Sequence, residues 1–146
     1  MRLEINPFHP EPRKIKRAAD ALRASGVIAY PTDTVYGLGC DIFEKKAVER
    51  LYVVKQMKPT QPLAFLCPDL GDIARFAIVD NPSYRLMRRL LPGPYCFILA
   101  ATPEVPKILM MKRKTVGIRV PDHPVAQALL RELGHPIVST TAAWDG

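Results

Sequence analysis

The chain has 146 residues, 48% of them apolar and 24% charged, with a formal net charge of +7. That balance excludes a disordered chain, which is too poor in apolar residues to fold, and a membrane span, which tolerates few charges. A domain of this length buries roughly 68–70% of its unfolded surface, so its core needs neither disulfides nor a structural metal.

Apolar Ile15, Ala18, Ala19 and Leu22 recur at helical spacing between Pro12 and Gly26, which predicts an amphipathic helix over about 12–25 with a cationic opposite face. Val27 to Tyr30 is a β-prone run stopped by Pro31. Val48, Leu51 and Val54 share a face of a second helix over about 45–57, which leads through two prolines into a strand from Leu63 to Cys67. Asp69 to Phe76 reads as a short helix. Asn81 caps a further helix to about Leu91, with Pro82 at its first helical position, and Pro92-Gly93-Pro94 stops it. Strands follow at Tyr95–Ala101 and Thr115–Val120. Asp122 or His123 opens a helix through Leu133, Gly134 closes it, and Ile137 to Thr140 is a last strand. Alternation of this kind predicts an α/β domain with a twisted, mixed sheet.

The 15 prolines are concentrated at these boundaries and in the turns, among them Pro31, Pro59, Pro62, Pro92, Pro94 and Pro121, and so punctuate a scaffold. No apolar run of signal-peptide length opens the chain, and a cytoplasmic location is expected. Cys40, Cys67 and Cys96 are odd in number, form no CxxC pair, and are expected as small core residues. His9, His123 and His135 each precede a proline, at no metal-ligand spacing.

The positive charge is uneven. Residues 1–30 carry an excess of +3, 31–80 of −1 and 81–146 of +5. The clusters are Arg13, Lys14, Lys16 and Arg17, then Arg85, Arg88 and Arg89, then Lys112, Arg113 and Lys114, a pattern attractive to polyanions when the clusters converge.

Strand ends that run into turns rich in Thr, Gly and Asp are where open α/β sheets hold ligands. One is Pro31-Thr32-Asp33-Thr34-Val35-Tyr36-Gly37-Leu38-Gly39, although Thr and Asp beside Pro and Gly also make ordinary turns. A second is Thr115 to Pro121, where Arg119 lies at even spacing from Thr115 and so shares its strand face. A third is Ser139-Thr140-Thr141. Neither GxxxxGK[ST] nor GxGxxG is present, so a bound phosphate is held by cations and hydroxyls.

Through Pro31–Gly39, Pro92-Gly93-Pro94, Thr115–Pro121 and Pro136-Ile137-Val138-Ser139-Thr140-Thr141, the sequence resembles the YrdC/YciO family of threonylcarbamoyl-AMP synthases and their relatives. Phe76-x-x-Val79-Asp80-Asn81 and Lys112-Arg113-Lys114-Thr115 make it most similar to the YciO branch. The resemblance implies a YrdC-like twisted mixed sheet with a large concave basic surface that takes nucleotide and double-stranded RNA or tRNA. It implies a synthase joining L-threonine, bicarbonate and ATP, with Mg2+ accompanying ATP, into threonylcarbamoyl-AMP and pyrophosphate for tRNA modification. Carried over by position, Thr32, Thr34, Tyr36, Arg119 and Ser139 would hold threonine, with Arg119 on its carboxylate, and Lys55, Lys58, Thr115 and Thr141 would face ATP or AMP. Lys14, Lys16, Arg17, Arg88, Arg89, Lys112, Arg113 and Lys114 are the RNA-binding candidates.

Where the family has the arginine of Lys-x-Arg, this chain has Met57; a later lysine is Gln61, and Ser-x-Asn is Thr141-Ala142-Ala143. Leu66 stands where many synthases carry histidine. These departures leave a second expectation, a non-synthase YciO-type protein that binds double-stranded RNA or tRNA with a divergent ATP site. A third is a subunit that associates with tRNA-modification proteins. Residues 1–146 are expected to form one YrdC-like domain that lacks the family's usual C-terminal part.

Overall fold

Helical spacing does place Ile15, Ala19 and Leu22 on one buried stripe of α1 (Pro12–Arg23), while Arg13, Lys16 and Arg17 stay exposed. This is seen in a computed structural model that describes residues 2–33, 35–55, 63–109 and 114–141, without the side chains of Ile108 and Thr141. The other elements are β1 (Ile28–Tyr30), β2 (Gly37–Asp41), α2 (Lys45–Lys55), β3 (Ala64–Leu66), α3 (Leu70–Phe76), β4 (Ala77–Ile78), α4 (Asn81–Leu90), β5 (Cys96–Ala101), β6 (Thr115–Arg119), α5 (Pro124–Leu133) and β7 (Ile137–Thr141). A 3-10 turn at Lys107–Leu109 lies between β5 and β6.

The α/β expectation holds. The described strands form one sheet in the order β1-β2-β7-β3-β6-β5-β4. Its pairings are antiparallel except β3 with β6, so the sheet is mixed. One face carries Cys40, Phe65, Val116, Ile118 and Val138, buried with Ala47, Val48 and Leu51 of α2, Ile73 and Phe76 of α3, and Met87 of α4. On the other face α1 and α5 cover Tyr30, Leu66 and Ile137 through Ala19, Leu22, Leu129, Leu130 and Leu133. Each fully buried Leu, Ile or Phe side chain contributes about 1.5–3 kcal/mol over its exposed state. Two cores therefore sandwich the sheet.

Local chemistry explains the boundaries. His123 caps α5 by accepting from the Val125 amide at its Nδ1, at 3.1 Å, and Gly134 ends the helix at φ 85°. Asp80, rather than Asn81, caps α4, because its carboxylate accepts from the Ser83 amide at 2.8 Å. Ser83 is the third residue after Asp80, the amide that an N-cap side chain reaches. The segment read as a turn up to Gly39 becomes strand from Gly37 onward, and β4 is a further strand that local pattern does not announce. Cys40 and Cys67 are buried as expected, whereas Cys96 is exposed at the start of β5. Asp41 is buried with its Oδ1 accepting from the Phe43 amide at 2.9 Å and lying 2.6 Å from His135 Nε2, a charge contact when the imidazole is protonated. The second helix is described to Lys55 only, and Gln56 and Met57 lie outside the described residues. Among the described residues no helix is long and apolar enough to cross a membrane.

Burial pushes the Cys40 thiol up to about 12, with the nearby Asp41 charge adding to the shift, and burial likewise raises Cys67 and Tyr30. Groups that keep their protons longer in the fold than in the unfolded chain stabilise it below their unfolded pKa, and that stability is lost as the pH rises. The urea midpoint is therefore expected to hold up to about pH 9 and to fall steadily above it. Cys40→Ala should start lower but fall less steeply, and a slope equal to that of the unaltered chain would contradict this account.

Candidate functional site

Sheet pairing sets Gly39, Ser139, Ala64 and Gly117 side by side across β2, β7, β3 and β6. Directly opposite residues share a face, so this row of small side chains lies on the same face as Tyr30, Leu66 and Ile137, the residues that α1 and α5 cover. The helices stop short of the row. What remains is a cavity of about 200 Å³ whose lining includes Gly37, Ala64, Leu66, Arg119 and Ser139 from the strands. The loop after β1 adds Thr32, Asp33, Val35 and Tyr36, and Gly93 and Pro121 close the far wall.

Tyr30 organises one side of this site. Its ring occupies the space that Gly37 leaves, where an added Cβ would stand 2.9 Å from two ring carbons. At Gly39 a Cβ would meet the Val138 carbonyl at 2.6 Å, Ile137 at 2.8 Å and the Tyr30 hydroxyl at 3.0 Å. With both positions bare, the buried Tyr30 hydroxyl reaches across β2 and donates to Ser139 Oγ. Burial raises the phenol's pKa against the smaller opposing effects of the Ser139 bond and the Arg119 charge.

Arg119 ends β6 half-buried. Its Nη2 donates to the Pro94 carbonyl at 3.2 Å, which directs the guanidinium toward the turn that contains Gly93. That turn is tied to the same region by the Gly93 amide, which donates to the Val120 carbonyl at 3.0 Å. Among the described residues no carboxylate lies within ion-pair distance of Arg119. A guanidinium has five N–H donors in a planar fork, and those not used on Pro94 suit a carboxylate or phosphate oxygen.

The predicted residues are distributed unevenly. Thr32, Tyr36, Arg119 and Ser139 do line the cavity. The Thr32 hydroxyl donates to the Val35 carbonyl, so it also shapes the loop, and Tyr36 is 63% exposed on the rim. Thr115 lies two residues along β6 from Gly117, on the face of Arg119, as its spacing requires. Thr141 pairs with Gly37 at the end of β7. Lys55 ends α2, which packs on the opposite face of the sheet. Thr34, Lys58, Lys112 and Arg113 lie outside the described residues, as do Met57, Gln61 and Ala143.

The cations are less gathered than a single basic surface requires. Lys14, Lys16 and Arg17 belong to α1 and Arg88 and Arg89 to α4, helices that pack into different cores on opposite sides of the sheet, and Lys114 precedes β6. Lys14 is paired with Glu11 at 2.7 Å. None of these residues lines the 200 Å³ cavity, whereas Arg17 lines a larger groove of about 1010 Å³ that shares Thr32, Val35 and Tyr36 with it. Tyr30 and Gly93 are site components that sequence reasoning missed, because one reads as the end of an apolar run and the other as a helix stop. Among the described residues no three His, Cys, Asp or Glu side chains converge on a common point.

A family model for Sua5, YciO and YrdC, described as "Telomere recombination", matches residues 20–146. The uncharacterized protein YciO of Escherichia coli (strain K12) is 45% identical over 143 residues, covering 97% of this chain and 69% of its own. Its crystal structure superposes with a TM-score of 0.89 at 46% identity, over 93% of this chain and 66% of that one. The chain thus spans about two thirds of the length of these relatives. A threonylcarbamoyl-AMP synthase of Vibrio vulnificus (strain YJ016) is 33% identical over 135 residues, 90% of this chain and 73% of its own. The crystal structure of P. abyssi Sua5 complexed with L-threonine matches with a TM-score of 0.86 at 29% identity, over 90% of this chain and 39% of that one.

The packing around Tyr30 makes Gly39→Ala a sensitive change. A methyl group at that contact distance forces the Val138 backbone, Ile137 or the tyrosine to move, and the expected loss is about 1–3 kcal/mol, read as a lower urea midpoint. Gly71→Ala, whose new Cβ meets only the Asp69 carboxylate at 3.2 Å, should cost less.

Proposed function

Because the chain belongs to the Sua5/YciO/YrdC family, we propose that its cavity binds L-threonine as the amino-acid substrate of a threonylcarbamoyl-AMP synthase reaction. The observation that carries this reading is Arg119: a half-buried guanidinium, without a carboxylate beside it among the described residues, shares a 200 Å³ cavity with Ser139, Thr32 and Tyr36. A cavity of that size suits a small amino acid rather than a whole nucleotide. Arg119 would hold the carboxylate in a charge-assisted contact, and Ser139 and Thr34 would supply hydroxyls.

In the proposed reaction the threonine amine takes up the carbon of bicarbonate with loss of water, giving a carbamate. A carbamate oxygen then attacks the α-phosphorus of ATP, which enters as its magnesium complex, and pyrophosphate leaves. Holding the amino acid by its carboxylate leaves the amine to face the nucleotide, so the main contribution of the site is orientation. Lys55, Lys58, Thr115 and Thr141 would contact the nucleotide.

A second reading is favoured by Met57, Gln61 and Ala143, which stand where the synthase pattern has two cations and an amide. Losing one charged partner of a desolvated phosphate costs about 2–5 kcal/mol, so these replacements weaken a triphosphate grip far more than an amino-acid site. On this reading the protein binds double-stranded RNA or tRNA as a YciO-type non-synthase, with Lys14, Lys16 and Arg17 on one side of the sheet and Arg88 and Arg89 on the other as separate contact points, and Lys112, Arg113 and Lys114 as a third.

Calorimetry with L-threonine is expected to show saturable binding that Arg119→Ala weakens by about 30-fold or more. Absence of heat with the unaltered chain would sink the threonine reading. Pyrophosphate release that requires L-threonine, bicarbonate and Mg·ATP together favours the synthase, and release no greater than that of the Arg119→Ala chain favours the second reading. RNA binding by the basic residues should weaken linearly on a log–log plot as salt is raised from about 50 to 200 mM. A flat response would count against it.

A further inference from the structure

We infer that Tyr30 is a positioning residue for the ligand, acting through Ser139, whose hydroxyl it sets as a hydrogen-bond donor into the cavity; the inference rests on the amino-acid reading above. Two hydroxyls share one hydrogen bond here, and the question is which proton lies between them. A phenol is a stronger acid than an alkyl alcohol and so the better donor, while the alcohol oxygen is the better acceptor. The Tyr30 proton is therefore the one that Ser139 Oγ receives. Ser139 keeps its own proton for another acceptor.

The surroundings restrict where that proton goes. Ser139 lies between Gly39 on β2 and Ala64 on β3, and neither neighbour has a polar side chain. Among the described residues Tyr30 is its one side-chain hydrogen-bond partner. Ser139 is buried yet lines the cavity, so the open direction for its O–H is toward a bound molecule. A ligand oxygen there meets a donor whose lone pair is already engaged, an arrangement that strengthens the outgoing bond.

The tyrosine is well placed to impose this. Its ring is packed in the core with Leu66, Leu129, Leu130 and Ile137, and the bare Gly37 and Gly39 fix the line along which its hydroxyl crosses β2. Burial keeps the phenol protonated through the neutral range, so the donor is constant. A serine held by such an anchor loses little rotational freedom when a ligand binds.

A double-mutant cycle tests the assignment by calorimetry with L-threonine on the unaltered chain, Tyr30→Phe, Ser139→Ala and the pair. Each single change is expected to weaken binding about five- to tenfold, and the pair to bind no worse than Ser139→Ala alone, because the tyrosine acts only through the serine. Equal affinity of Tyr30→Phe and the unaltered chain would overturn the proposal, as would single effects that multiply. A Tyr30→Phe chain that does not fold also overturns it, since the hydroxyl would then serve the fold. Introducing 3-fluorotyrosine at position 30 alone keeps the hydroxyl and should preserve binding; a loss there would place the effect in ring packing and count against the assignment. No binding by the unaltered chain removes the threonine reading and this inference together, whereas normal binding with an inert Tyr30 removes the inference alone.

Discussion

A sheet face can stay open to a ligand only if the residues on it do not need a cover. Large apolar side chains left in water forfeit the burial that makes folding favourable, so a face is left open at least cost where its side chains are small, although Ile98 and Ile78 stand exposed where β5 and β4 continue this one. Gly39, Ser139, Ala64 and Gly117 meet that condition on four adjacent strands. Where the same face carries Tyr30, Leu66 and Ile137, helices α1 and α5 are drawn over it. The cavity is the boundary between those two regimes. Its polar groups, Arg119 and Ser139, therefore sit with a packed core on one side and open space on the other.

That boundary also shows how the site is braced without being sealed. Tyr30 belongs to the core by its ring and to the cavity by its hydroxyl, and the missing side chains of Gly37 and Gly39 let one residue do both. Arg119 is braced from the opposite wall through the Pro94 carbonyl. Val35 and Tyr36 are largely exposed, and their surfaces continue into the larger groove along α1.

Much of this was legible in the sequence where a local pattern determines the structure. Ile15, Ala19 and Leu22 mark α1 by spacing alone, Asp122 or His123 and then Gly134 mark the ends of α5, where the structure selects His123 as the cap, and the even spacing of Thr115 and Arg119 puts them on one face. The strand β2 was not legible. Gly37-Leu38-Gly39-Cys40-Asp41 has poor intrinsic β preference, and it is extended because β1 and β7 pair with it on both sides. The family pattern drew attention to Arg119 and Ser139, but no local signal shows that Tyr30 reaches Ser139 or that Asp41 meets His135, since both contacts follow from a strand order that only the assembled sheet defines. The Cys96 expectation failed for the same reason: an odd cysteine outside any CxxC pair suggests a small core residue, but only the assembled fold decides which parts of a sheet face are covered.

The strand order has a further consequence for how the chain comes to be folded. β7, the last described strand, inserts between β2 and β3 at the middle of the sheet. During synthesis β2 and β3 leave the ribosome long before their shared neighbour, and until it arrives each presents a row of unpaired amides and carbonyls. Closing the sheet is then a late, long-range event, of the kind that slows folding and lengthens exposure to aggregation. The glycines of β2 acquire a second meaning in that interval: a segment with little β preference of its own is a poor template for the wrong partner while it waits for the right one.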